Sequence, residues 1–214
     1  MARTPGPAGD RHRTPSTEVS DSLLSAALGL LEEQGADALT VRAVASRAGV
    51  APMGVYSRFG GKPGLIEALF VHGFTGMQES IASAGGADAG AMLDDAALTD
   101  ALARLGRGCR AYRAFAMDHP HLYQLMFQRM LDLDLSEESL EQAAGTFAHL
   151  AERVGDAMEA GLLAPGDPVA AAQEIWNGLH GGVMIEIAGI TFTPDPEQTF
   201  GDMIDTMLRG LAPR

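Results

Sequence analysis

Apolar residues recur at steps of three and four along almost the whole chain, and this spacing constrains the fold more than any other feature. It begins near residue 17 and continues, with interruptions at glycine and proline, to about residue 209. Such spacing places apolar side chains on one face of an α-helix. We find no stretch with sustained alternation of apolar and polar residues, and the sequence therefore predicts an all-α protein.

Two short predicted helices stand close together in the segment TVRAVASRAGVAPMGVYSRFGGK, residues 40–62. The first follows Thr40, a residue typical of helix N-caps, and ends at Gly49. The second covers residues 52–59 and carries a proline at its start, a position where helices favour it. Two short helices around a glycine turn predict a helix-turn-helix.

Charge is distributed unevenly in this acidic chain, whose formal net charge is -13. Residues 1–62 carry seven basic and six acidic side chains, whereas residues 63–214 carry eight basic and 22 acidic ones. The long C-terminal part would repel a polyanion. If the chain binds nucleic acid, we therefore expect the contact within the first 62 residues.

Several function classes are disfavoured by composition and motif content. No apolar run is long enough for a transmembrane helix, the first ten residues hold no apolar stretch, and the single cysteine, Cys109, excludes an intramolecular disulfide, so we expect a cytoplasmic protein. In the sequence DHPH, His119 and His121 would diverge on a helix, which favours a solvated turn over a metal site. No nucleophile and base motif or phosphate loop is visible. We expect no metal, no cofactor and no enzymatic activity.

Residues 40–65 hold an ordered set of markers: Gly49 and Val50 at the turn, Tyr56 with Phe59 three residues later, and Lys62, the only lysine of the chain. In this order the segment resembles the DNA-binding region of TetR-family transcriptional regulators. A weaker second match joins AYRAFAMDHPHLYQLMFQ to EIWNGLHGG. These stretches are similar to one subset of the family's ligand-binding domains, which contains a Trp and a His-Gly one turn apart.

The resemblance implies an N-terminal three-helix helix-turn-helix domain at residues 17–62, preceded by a flexible arm at residues 1–16. A larger helical ligand-binding and dimerisation domain would follow at residues 63–214. The expected function is that of a homodimeric repressor, which binds a pseudo-palindromic double-stranded DNA operator and is released by an apolar or aromatic small-molecule effector. A transcriptional activator, or a helical small-molecule-binding protein without DNA activity, is the alternative.

The predicted DNA-binding surface contains nine residues of the helix-turn-helix segment. Met53, Gly54 and Ser57 are expected on the groove side of the second short helix, with Gly54 permitting a close approach of the backbone to DNA. Arg42 could reach a guanine edge or a phosphate, and Tyr56, Arg58 and Lys62 are expected to contact phosphate and fix the register. Thr40 is expected to cap its helix and could also touch phosphate. The full set is Thr40, Arg42, Pro52, Met53, Gly54, Tyr56, Ser57, Arg58 and Lys62.

A ligand pocket is predicted from aromatic, imidazole and thioether side chains of the C-terminal part. Trp176, His180 and Met184 follow each other at steps of four and share one face of a helix. Such side chains adapt well to an apolar or mixed small molecule, although a core or a dimer interface would also explain this face. The predicted pocket residues are Phe115, Met117, Tyr123, Met126, Phe127, Met130, Trp176, Asn177, His180 and Met184.

A dimer interface is predicted on the last two long helices, at residues 168–190 and 197–209. Gly178, Gly181 and Gly182 are costly inside a helix, which favours close approach of a partner helix at this point. We expect Val183 and Met203 among the contacts of this interface.

Overall fold

A computed structural model of the chain describes residues 16–85, 95–128 and 133–213. Within these ranges the regular structure is helical, with a single short 3-10 turn at Ala36–Ala38 and no strand, and the all-α prediction is confirmed. Nearly all of the predicted arm, and the predicted pocket residue Met130, lie outside the described residues. None of the helices described is long and apolar enough to cross a membrane. The helices are α1 (Ser16–Gln34), α2 (Val41–Arg47), α3 (Met53–Phe59), α4 (Lys62–Gly85), α5 (Asp95–Asp118), α6 (Pro120–Gln128), α7 (Glu137–Glu159), α8 (Pro168–Ile187) and α9 (Pro196–Gly210).

The helices α1, α2 and α3 enclose a small apolar core together with the first turns of α4. Leu31, Val44 and Val55, one from each of the three helices, are completely buried in it. The Thr40 hydroxyl oxygen accepts a hydrogen bond of 3.2 Å from the backbone N–H of Ala43, which confirms the predicted N-cap of α2. Gly49 adopts a φ of 69°, so the turn between α2 and α3 uses a conformation that other residues rarely adopt.

Polar pairs join α4 to α7 at three levels. The partners of Glu67, Thr75 and Gln78 on α4 follow in the same order along α7, so the two helices run parallel. Hydrogen bonds from Ser136 and Ser139 lower the pKa of the Glu67 carboxyl, which stays charged at the start of α7. The pairs are Ser139 with Glu67 at 2.8 Å, Gln142 with Thr75 at 2.6 Å and Gln78 with Thr146 at 2.9 Å.

Two glycines of α8 face α9 of the same chain. A Cβ atom on Gly178 would lie 2.5 Å from the Met207 sulfur, and one on Gly182 would lie 2.8 Å from the Phe200 ring. These glycines therefore let α9 pack closely, which corrects the expectation that they face a partner helix. A Cβ on Gly181 would meet nothing within 4 Å.

Val183 is completely buried within the single chain, so it is a core residue and not a surface contact. Met203 is partly buried and lies against Gly182 of the same chain, where its Cε atom would be 3.4 Å from an added Cβ. The expectation that Val183 meets a partner subunit is therefore corrected, and the contact predicted for Met203 stays a prediction. The helical period indicated that both face inward, but it did not distinguish the inside of one chain from the space between two.

An ion pair fixes α5 against α8. The Arg113 guanidinium binds the Glu186 carboxylate with N–O distances of 2.8 to 3.2 Å, and the two side chains are only 15% and 9% exposed. The Arg113 guanidinium also lies 5.8 Å from the centre of the Phe200 ring on α9. The pair thus holds three helices of the C-terminal part at one point.

Candidate DNA-binding surface and ligand cavity

The predicted DNA-binding residues lie mostly on one exposed surface at the N-terminal end of the molecule. Met53 and Tyr56 on α3 are 70% and 54% exposed, which is unusual for such large side chains. Arg42, Arg58 and Lys62 are exposed, and none of them forms an ion pair with another described residue. Their charges are therefore available to phosphate groups. The exposed members of the predicted set are Thr40, Arg42, Pro52, Met53, Tyr56, Ser57, Arg58 and Lys62.

Gly54 does not have the role predicted for it. A Cβ atom at this position would point towards Val50 and Leu23, at ordinary contact distances of 3.5 and 3.8 Å. Gly54 precedes the buried Val55, and successive helical residues are separated by about 100°, so its missing side chain lies at the edge of the buried face. The absence of a side chain here does not open α3 towards DNA.

Arg47 belongs to the same basic segment but is already paired. Its guanidinium binds both carboxylate oxygens of Glu33 on α1 at 2.6 Å, and it lies across Gly29. The hydrogen bonds from Arg47 lower the pKa of Glu33. Arg47 is therefore bound within its own chain, whereas Arg42, Arg58 and Lys62 form no ion pair with the described residues.

A cavity of about 1200 Å³ lies between α4, α5, α7 and α8. One end, which we call the inner end, is lined by largely buried aromatic and apolar side chains. The other, the outer end, is lined by charged side chains. Tyr112 of the inner end and Arg104 of the outer end are eight residues apart on α5, or about 12 Å along the helix. The inner end is formed by Phe74, Met77, Tyr112, Phe127, Phe147 and Trp176, and the outer end by Arg104, Glu152, Arg153, Asp156 and Glu159.

The structure brings only two of the described predicted pocket residues, Phe127 and Trp176, to the wall of this cavity. Tyr123 is completely buried behind the wall, and His180 is hydrogen-bonded to it. Met126 is completely buried against Gly73 of α4, where it fills space inside the core.

The remaining predicted pocket residues do not line the cavity either, which corrects the prediction. Phe115 borders a separate shallow groove between α1, α4 and α5. Asn177 is exposed on another face of α8 and accepts a hydrogen bond of 2.7 Å from Gln173. Met117 and Met184 are partly buried against the core. In each case the turn of the helix directs the side chain away from the space between α4, α5, α7 and α8.

Four side chains of the inner end were not predicted: Phe74, Met77, Tyr112 and Phe147. Their spacing predicted inward-facing positions but did not distinguish a cavity wall from a filled core. The only available signal was the hydroxyl group of Tyr112, which lies in an otherwise apolar stripe and needs a hydrogen-bonding partner when buried.

Four polar groups form a continuous hydrogen-bonded chain, which begins at Trp176 and Tyr112 of the inner end and continues behind the wall to Tyr123 and His180. The Trp176 indole N–H donates to the Tyr112 hydroxyl oxygen at 3.3 Å, and the Tyr112 and Tyr123 hydroxyl oxygens are 2.6 Å apart. The Tyr123 hydroxyl oxygen lies 2.7 Å from Nδ1 of His180. Burial raises the pKa of Tyr112 to about 12 and also raises that of Tyr123, whereas burial lowers the pKa of His180. All four groups are therefore neutral near pH 7.

These features define a class of protein: a helix-turn-helix transcriptional regulator with a helical ligand-binding domain. Residues 23–69 match the family described as bacterial regulatory proteins, tetR family, and residues 105–207 match the tetracyclin repressor-like C-terminal domain. The chain belongs to the TetR family of DNA-binding transcriptional regulators, and it is not an enzyme.

Relatives match over nearly the full length. An uncharacterised HTH-type transcriptional regulator of Mycobacterium tuberculosis, Rv0681, is 28% identical over 94% of this chain and 84% of its own length. A structure of a protein of unknown function from Rhodococcus sp. RHA1 superposes with a TM-score of 0.80 at 24% identity, covering 96% of this chain and all of that one. The TetR-family regulator PfmR from Thermus thermophilus gives a TM-score of 0.63 at 19% identity, covering 89% and 99% of the two chains. The two structures support the fold.

Proposed function

We propose that the protein is a homodimeric repressor, which binds a pseudo-palindromic operator and releases it when a small molecule fills the cavity. The observation that carries this proposal is the path of α4. Its first residue is Lys62 of the DNA-binding surface, and its later turns supply Phe74 and Met77 to the cavity wall. A ligand that moves this wall therefore also moves a DNA contact.

A second connection joins the two parts through α1 and α6. The Glu32 carboxylate accepts hydrogen bonds from the backbone N–H groups of His121 and Leu122 at 3.2 and 2.9 Å. These amides begin α6, where a helix presents unpaired N–H groups and favours a negative charge. The Glu32 carbonyl oxygen also lies 2.9 Å from Nδ1 of His121. The next turns of α6 carry Tyr123 and Phe127, so this contact links α1 to the inner end of the cavity.

The exposed face of α8 supports dimerisation. Gln173, Asn177, the partly exposed Gly181 and Ile185 follow each other at steps of four on this face, and Ile185 is 47% exposed. The open space at Gly181 would allow close approach of a second helix. In a symmetric dimer the same face would meet its own copy, and two α3 helices would reach successive major grooves.

The proposal is tested by comparing ligand binding with DNA release. Trp176 is the only tryptophan, so its emission reports on the cavity. A compound that changes this emission saturably is expected to release a DNA fragment from beside the protein's own gene over the same concentration range, because the two equilibria are linked. Phe127→Ala should shift both curves to higher concentration while leaving operator affinity without ligand nearly intact.

Two results would contradict this mechanism. Compounds that saturate the Trp176 signal without releasing DNA would show that the cavity is not coupled to the operator. Release of DNA by compounds that leave Trp176 emission unchanged would place the effector site elsewhere. If ligand binding released DNA but lowered transcription, the regulator would be an activator.

Glu32→Ala is expected to lower the free energy of unfolding by about 1 to 2 kcal/mol, because two backbone N–H groups of α6 lose their capping acceptor. Urea unfolding measures this loss, and hydrogen exchange should be accelerated at the His121 and Leu122 amides. Glu33→Ala is the matched control. It removes the exposed pair with Arg47, which solvent screens, so the expected loss is clearly smaller than that of Glu32→Ala. Equal losses in the two variants, with no change in amide exchange, would exclude Glu32 as the link to α6.

A further inference from the structure

The hydrogen-bonded chain behind the inner end can hold its protons in two complete arrangements. In the 2.6 Å contact between the Tyr112 and Tyr123 hydroxyls, either hydroxyl can be the donor. Neutral His180 has a single N–H, which is on Nδ1 in one tautomer and on Nε2 in the other. Trp176 can only donate. The direction of the remaining hydrogen bonds therefore depends on the tautomer of His180.

In the first arrangement, Tyr112 donates to Tyr123 and Tyr123 donates to Nδ1 of His180, which carries its proton on Nε2. In the second, Nδ1–H of His180 donates to Tyr123 and Tyr123 donates to Tyr112. The Tyr112 O–H is then left without an acceptor in this chain of groups. The two arrangements contain the same number of protons, so the protein neither gains nor loses one when they interconvert. Both hydroxyls rotate, and the half-buried imidazole gives up its proton on one nitrogen to water and takes one up on the other.

Tyr112 lines the cavity, so the second arrangement offers a hydrogen-bond donor to a molecule inside it. In the first arrangement the Tyr112 and Tyr123 hydroxyls and the Trp176 N–H all donate to acceptors of the protein, so this arrangement is favoured without a ligand. A ligand that supplies an acceptor atom beside Tyr112 makes the second one favourable. Binding of that atom is thereby coupled to the tautomer of His180.

The surroundings of Tyr112 decide which acceptor is suitable. The inner end holds aromatic rings, a thioether and the neutral side chains of Gln78 and Thr146, which are hydrogen-bonded to each other at 2.9 Å. The cations Arg104 and Arg153 lie at the outer end. A carboxylate at the inner end would lose its hydration without gaining a cation. A cationic group would meet no carboxylate there, and it cannot accept a hydrogen bond.

We propose that the effector is a neutral, largely apolar molecule with a carbonyl oxygen, which Tyr112 binds at the inner end while His180 changes tautomer. This inference rests on the proposed function, since it assigns the chemical class of the effector of the same cavity. The apolar remainder of the molecule lies along the aromatic wall towards the outer end.

Four probes of similar length test the ligand class: methyl octanoate, decane, octanoate and octyltrimethylammonium. Titrations followed by Trp176 emission are expected to show the tightest binding for methyl octanoate. Tyr112→Phe should weaken methyl octanoate about tenfold and decane less than about twofold, because only the ester loses a buried hydrogen bond. Tyr123→Phe is the matched control. It removes the connection to His180 but keeps the Tyr112 donor, so the ester should still bind with near-parental affinity.

Nitrogen-15 spectra of histidine-labelled protein test the coupling, with His180→Gln used to assign the signal. Saturation with methyl octanoate is expected to move the His180 proton from Nε2 to Nδ1, and Tyr123→Phe should abolish this response. Four results would each overturn the inference. They are equal weakening of ester and decane binding by Tyr112→Phe, an unchanged His180 tautomer, binding of either charged probe more tightly than methyl octanoate, and no binding of any probe.

DNA release is measured separately with the same probes. If methyl octanoate binds and shifts the tautomer but leaves the operator bound, the ligand class assigned to the cavity stands and the proposed function fails. If octanoate or octyltrimethylammonium releases the operator and methyl octanoate does not, the proposed function stands and the ligand class is overturned.

Discussion

Lys62→Ala is expected to weaken operator binding by the dimer about a hundredfold. Lys62 is exposed at the first residue of α4 and forms no ion pair with the described residues, so its ammonium group is available to a phosphate. Each subunit would lose one charge-assisted hydrogen bond of about 1.5 kcal/mol, and the dimer loses two. The slope of log affinity against log salt concentration should fall by about two, since fewer counterions are released.

Arg47→Ala is the matched control for this experiment. It removes a positive charge from the same segment, but that charge is bound by Glu33 at 2.6 Å. The salt slope should therefore stay close to that of the parent. Lys62→Ala should also remain folded, because a positive charge at the start of a helix is unfavourable and its removal costs no helix stability. Identical slopes for Lys62→Ala and the parent protein would remove Lys62 from the DNA contact.

Val183→Arg is expected to unfold the C-terminal part of the chain. Val183 is completely buried in α8, and an arginine there would bring an unpaired charge and excess volume into the core. Such changes cost about 4 kcal/mol or more, a large fraction of the stability of a typical domain. Circular dichroism in urea should show either no folded baseline or a strongly lowered midpoint.

Ile185→Arg separates loss of folding from loss of dimerisation. It lies two residues from Val183, about 200° around the helix, and is 47% exposed. The variant is expected to keep the circular dichroism spectrum of the parent but to sediment as a monomer and bind operator poorly. A folded, dimeric Ile185→Arg protein would exclude this face of α8 as the interface, and a folded Val183→Arg protein would contradict the core assignment.

The all-α fold could be predicted because it depends on local signals. Thr40 caps α2 and Gly49 makes the turn before α3, as their side-chain chemistry dictates. Spacing also identified which faces are apolar, but not what each face meets. Gly178 and Gly182 show this limit: the sequence indicated a close approach, and only the path of α9 shows that the approaching helix belongs to the same chain.

The two candidate sites differ in how far the sequence could predict them. The candidate DNA-binding surface lies within two short helices and the start of a third, so the local order of residues was enough to predict where its charged side chains lie. The local sequence did not show that Arg47 is paired and Arg42 is not, because Glu33, the partner of Arg47, lies 14 residues earlier on another helix. The cavity depends on the separation of four helices. No local pattern encodes a space between helices, and Phe127 and Trp176 were therefore predicted together with residues that pack the core or lie on another surface.

The shared use of α4 has a consequence for how such a protein diversifies. A substitution at Phe74 or Met77 changes the cavity and also the helix that carries Lys62. Under the proposed function, selection for a new effector at these positions would alter DNA affinity as well. Tyr112, Phe147 and Trp176 lie on α5, α7 and α8, which carry none of the predicted DNA-binding residues. Under the proposed function, effector preference can therefore drift at these three positions with little effect on DNA affinity, whereas a change of effector made through α4 alters the strength of the operator contact in the same step.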